Sequence, residues 1–120
     1  MQRGNWAKHA LDRYEMLKRW KHLANTIAIA CTKILGDNCL EVHVVGSAAE
    51  DRLTVLSDID IAIVTGNPEH KTIETIVAIK KKAEELGLPP ETPIDIKILT
   101  QKELQELVEK KVYRKTVRVF

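Results

Sequence analysis

The chain has 120 residues and a mass of 13.6 kDa, a length that fits one domain able to bury its own core without disulfide or metal staples. Apolar residues at 44% and charged residues at 30% exclude a disordered chain, and a formal charge of +2 is too small by itself to argue for nucleic acid or an anionic membrane. No apolar run approaches the length needed to span a bilayer and no leader-like stretch opens the chain, so a cytoplasmic protein is expected.

Along the chain, Trp6, Ala10, Leu17, Trp20, Ala24, Ile27, Cys31 and Ile34 fall at helical spacing, which reads most simply as one long amphipathic helix over about 5–35 with Gly36 as its C-cap, the alternative being a break near Tyr14 that folds the first part back onto the core. Its segment is basic: residues 1–33 carry seven Lys/Arg against Asp12 and Glu15, mostly as a solvated face. Cys39 to Val45 reads as a strand ending at Gly46. Cys31 and Cys39 have no second pair, and His43 completes no four-ligand zinc set, so reduced thiols are expected. A loop over 47–57 leads to a second strand, Asp58 to Val64, with β-branched Ile59, Ile61 and Ile63 at alternate positions. Asn67 as N-cap with Pro68 at the first helical position opens a helix that ends at Gly87. Ile94 to Leu99 is a third strand, and Thr100 with Glu103 forms a capping box for a short helix to about Lys111. The basic tail over 112–120 is ambiguous between a strand and a frayed end. The layout is α/β, a small sheet covered by helices.

Strand side chains alternate faces, so Asp58 and Asp60 point one way and Ile59, Ile61 and Ile63 the other. On the third strand Asp95 projects opposite Ile94, Ile96 and Ile98, so side-by-side strands would bring three acids together. Crowded carboxylates repel one another unless a cation compensates, and oxygen ligands suit Mg²⁺ or Mn²⁺ completed by water and phosphate. Gly46 and Ser47 stand where a strand gives way to a turn, so their backbone N–H groups can approach an anion.

Gly46-Ser47, ten intervening residues, Asp58-Ile59-Asp60 and then Asp95 on a later strand resemble the signature of the minimal nucleotidyltransferases of the DNA polymerase β superfamily. The resemblance covers about 42–99. It implies the polymerase β-like fold, of the α/β (α+β) class, with a small mixed sheet of three or more strands flanked by helices. It also implies transfer of a nucleoside monophosphate, AMP from ATP or another nucleoside triphosphate, with two Mg²⁺ ions or Mn²⁺ as cofactor. By that resemblance Gly46 and Ser47 hold phosphates, Asp58 and Asp60 bind both metals, and Asp95 joins the catalytic metal and helps activate the acceptor hydroxyl. Many relatives carry Arg directly after the Gly-Ser pair and a second Gly three residues further on, where this chain has Ala48 and Asp51; Arg52 is the candidate for the missing charge.

Two functional classes follow. One is the enzyme; the other is a binding module, because the resemblance implies an antitoxin of a toxin–antitoxin pair that masks a small helical HEPN partner. No direct sign of nucleic-acid binding is present, and Lys97, on the face of Asp95, reads equally as a phosphate contact or an edge-strand lysine. His43 and His70 read as structural or exposed. A thirty-residue helix spans roughly 45 Å, longer than the strands, so its first turns should project and either form a homodimer or dock a partner around Trp6 and Ala10, flanked by Arg3, Lys8 and Arg13.

Overall fold

A computed structural model describes the backbone of residues 2–120 and the side chains from Trp6 onward; the side chain of Arg3 lies outside the described residues. The expected first helix is two: α1, Gln2–Lys18, and α2, Trp20–Leu35. Arg19 interrupts them with φ −90° and ψ 21°, and its N–H turns back to the Met16 carbonyl at 3.0 Å, a tightened turn that ends α1. The apolar stripe runs on across the break, which is why periodicity alone reads it as continuous. Leu23, Ala24, Ile27, Cys31 and Leu35 of α2 are buried, and Gly36 ends it with φ 56°.

The sheet has four strands in the order β3-β2-β1-β4, with β1 Cys39–Val45, β2 Ile59–Thr65, β3 Ile94–Leu99 and β4 Val117–Arg118. β1 lies antiparallel to β2 and β4, and β2 lies parallel to β3. The basic tail therefore ends as a short edge strand. The parallel pair needs a crossover, supplied by α4, Ile73–Glu85, which packs beside α2 on one face. Asn67 caps only a single 3₁₀ turn, Pro68–His70, and the helix starts five residues later than its proline suggests, because the Thr72 side chain accepts from the Thr75 N–H.

Ile59, Ile61 and Ile63 meet Ile94, Ile96 and Ile98 beneath α2 and α4 in the main core, joined by the free thiols Cys31 and Cys39. On the opposite face α5, Gln101–Glu109, opens with the expected capping box and lays Leu104 over Val45, Ala62 and Val64. His43 on this face is buried against Glu41 at 2.6 Å, and His70 lies 3.2 Å from the Thr65 hydroxyl, so both have structural roles. Among the described residues no helix is long and apolar enough to cross a membrane.

α1 is uneven. Trp6 is 72% exposed and Leu11 62%, whereas Leu17, beside the break, is fully buried. Leu17 is thus the apolar anchor of α1, and Leu17→Ala should lower stability by about 3 kcal/mol, the usual loss for a buried leucine truncation. Urea unfolding of the two proteins measures it.

Candidate active site

Register builds the site. Val45 of β1 pairs with Asp60 of β2, and Asp60 pairs with Asp95 of β3, so one row crosses three strands with its side chains on the α5 face. Neighbouring strands lie roughly 4.8 Å apart, which puts the two carboxylates side by side. Asp58 sits one residue before the first residue of β2, close enough to Asp60 to add to its negative surroundings, with its side chain half exposed and its Oδ1 2.8 Å from Arg13 Nη2.

Beyond Val45 the chain turns into the short α3, Gly46–Ala49. Gly46 has φ +69°, a region that excludes most side chains, and a Cβ there would overlap Asp60 Oδ2 and stand 3.3 Å from its Cγ. The glycine is therefore what lets backbone come against the carboxylate. Val45 offers no side-chain cap, so the first N–H groups of α3 depend on water or a bound group. Ser47 is half-buried, and its carbonyl accepts from the Arg52 N–H at 2.8 Å, closing the turn. The Arg52 side chain, the candidate for the charge that would grip nucleotide, is exposed and pairs with Glu50 at 3.2 Å.

A cleft of about 220 Å³ opens over the row, lined by Gly46, Asp60, Asp95, Lys97, Val112 and Tyr113 together with Val45 and Ile61. Ser47, Asp58 and Arg52 stand outside its lining. Burial pushes the pKa of Asp60 above the ordinary carboxylate value, Asp95 and then Asp58 push it further, and Lys97 partly offsets them. Tyr113 is pushed up by the same causes, burial first and then Asp60 and Asp95. Among the described residues no group of three or more His, Cys, Asp and Glu side chains is drawn together tightly enough to cage a metal by itself. The donors that are present, oxygen only and with excess negative charge, fit a hard divalent cation whose remaining ligands are water and phosphate.

Two cleft or rim residues were not legible as site residues. Tyr113 is brought over the cleft by a turn at Lys111, with φ +58°, and its own N–H donates to the Leu107 carbonyl. Arg13 reaches the rim from α1, forty-five positions away in the chain. Neither carries a local signal, since both arrive by tertiary packing.

The profile of the nucleotidyltransferase domain family matches residues 27–119. The chain belongs to that family. Its members transfer nucleoside monophosphates, and the fold is that of the minimal nucleotidyltransferases of the polymerase β-like superfamily. A crystal structure of a candidate nucleotidyltransferase from Sulfolobus solfataricus is similar in fold, with 22% identity and a TM-score of 0.52 over 92% of this chain and 85% of that one. No curated protein matches the sequence. The nucleotidyltransferase match extends over β1 through β4 and so includes Gly46, all three acids and Tyr113, while α1 lies outside it.

The crowding of acids has a sign that can be measured. Asp60 ionises less readily in the folded nucleotidyltransferase than in the unfolded chain, so its charge costs stability, and the cost sets in as pH rises through the carboxylate range. Asp60→Asn should therefore melt above wild type at pH 7 in the presence of a chelator. The gap should close as pH falls below about 4, the ordinary aspartate value, where Asp60 is protonated in the folded and the unfolded chain alike.

Proposed function

We propose that this protein transfers AMP from ATP to an acceptor hydroxyl, with Asp58, Asp60 and Asp95 as ligands of two Mg²⁺ ions, for which Mn²⁺ can substitute. The observation that carries the reading is the close approach of Gly46 to Asp60: the turn out of β1 comes directly against a carboxylate whose neighbours already burden it with negative charge, on the wall of an open cleft. When bound, the metals supply charge neutralisation for the triphosphate and for the attacking and leaving oxygens.

The chain's own residues divide the remaining work. Gly46 and Ser47 offer backbone N–H groups to the β- and γ-phosphates, and Lys97, on the cleft wall, adds a positive charge there. Asp95 lies on the edge strand, exposed on the side from which an acceptor must come, and it orients the acceptor hydroxyl and takes up its proton. The hydroxyl oxygen attacks the α-phosphorus in line, and pyrophosphate leaves. A cleft of about 220 Å³ is below the usual range for a site enclosing a whole small ligand, so the base and the acceptor extend beyond it.

The acceptor belongs to a partner, for which a HEPN-type protein is the class suggested by the resemblance, in a cytoplasmic setting. A second reading, an antitoxin that works by masking the partner, is favoured by Trp6 and Leu11, which α1 leaves uncovered. A homodimer through the same residues is the remaining possibility for that surface. Arg13, expected on the rim of such a contact, is instead committed to the Asp58 loop.

Asp58→Asn and Asp60→Asn should each abolish Mg²⁺-dependent ATP binding in calorimetric titration. Asp95→Asn should keep most nucleotide affinity while transfer of label from α-³²P-ATP falls at least about a hundredfold, the low end for lost acid–base or electrostatic help. An Asp60→Asn protein that binds ATP with unchanged metal dependence would sink the reading.

A further inference from the structure

Arg13 makes three polar contacts over a long sequence separation, and all three converge on one short loop. Its Nε donates to the Val55 carbonyl at 2.9 Å, and its Nη2 donates to the Ser57 carbonyl at 2.9 Å and to Asp58 Oδ1 at 2.8 Å. The loop over 53–58 has little else to order it. Leu53 packs on the core, but Leu56 is exposed, and the other bonds within the loop join Thr54 to Ser57 and Leu56. The guanidinium is planar and presents its donors in a fixed fork, so two carbonyls and a carboxylate arranged around it hold the loop in one shape.

We propose that Arg13 is a positioning residue for Asp58, fixing the loop and engaging Oδ1 so that the other carboxylate oxygen is held ready for a divalent cation. The inference rests on the proposed role of Asp58 as a metal ligand. Ligating carboxylates are characteristically held by a second hydrogen bond, whose loss weakens metal binding even though the partner never touches the metal. Asp58 needs such a partner more than Asp60 or Asp95 does. Those two are seated in paired strands, whereas Asp58 precedes the first paired residue of β2 and its side chain is more than half exposed.

An opposite effect competes. The guanidinium is positive and repels an incoming cation, so its removal would tighten binding if charge were all that mattered. The Asp58 side chain is more than half exposed, where water and salt screen that repulsion, while the order lost from the loop is not restored by solvent. The balance favours positioning.

The test uses the full chain and Mn²⁺ alone as probe, with free Mn²⁺ followed by electron paramagnetic resonance. Arg13→Ala should weaken Mn²⁺ binding about tenfold to a hundredfold, the range for loss of a partner behind a metal ligand. It should also speed hydrogen exchange at the Ser57 amide, which is bonded to the Thr54 carbonyl in the intact loop. Arg13→Lys keeps the charge but has no fork to reach both carbonyls and the carboxylate, so it should recover little of either loss. Equal or tighter Mn²⁺ binding by Arg13→Ala, or full recovery by Arg13→Lys, would overturn the inference. Asp60→Asn separates the two levels: if wild type binds Mn²⁺ and Asp60→Asn does not, an unaffected Arg13→Ala counts against positioning alone. If wild type and Asp60→Asn bind alike, the assignment of the carboxylates as ligands fails, and this inference fails with it.

Discussion

Two like charges held side by side by strand pairing are the constraint on which the site depends. Asp60 and Asp95 are direct partners across a parallel pair, and neither can move away without breaking the register. The register is held from the other face. Ile59, Ile61 and Ile63 face Ile94, Ile96 and Ile98 in the core beneath α2 and α4, and a slip by one residue would turn them towards the cleft. Each buried isoleucine contributes roughly 1.5–3 kcal/mol by its transfer from water. That sum exceeds the cost of one carboxylate whose proton is held too tightly, so the apolar face decides and the polar face bears the strain.

The turn out of β1 follows from the same row. Because Gly46 lies against Asp60, the chain must leave the sheet with positive φ, and it does so through α3 before returning by the Arg52 to Ser47 bond. Asp51 completes the reversal in the left-handed region, with φ 56°. This is the position at which many relatives carry glycine. Aspartate is among the side chains that tolerate that conformation, so the departure in sequence preserves the path of the backbone. The same path sends the Arg52 side chain outward to Glu50, away from the acids, and residue spacing alone gave no view of that direction.

Features governed by local periodicity were readable from the sequence. β1 and β3 begin and end where alternation and glycine place them, the Thr100 capping box is present, and Asp60 with Asp95 follows from a period of two on adjacent strands. Competing local signals went astray. Asn67 and Pro68 satisfy the rules for a helix start but open a single turn, since Thr72 provides a second cap five residues on, followed by the apolar stripe of α4. Asp58 was legible as a residue, but its partner Arg13 was not. Arg13 and Tyr113 had no signal in sequence, since their positions are products of tertiary packing over separations that no window spans.

The break at Arg19 sets α1 apart from the core helix that follows it. Trp6, Ala10, Arg13 and Leu17 follow three-four spacing and share one stripe of α1, along which cover increases towards the break: Trp6 is exposed, Ala10 and Arg13 are half-buried, and Leu17 is fully buried. A helix held in this way, by Leu17 with Met16 beside it and one polar fork, opens at lower free energy than a core strand. Asp60 and Asp95 are held by the most stable part of the fold, and Asp58 is held through one of the least stable. The three acids that the sequence groups by spacing are therefore mechanically unequal, with two fixed by the sheet and the third set by the seating of α1.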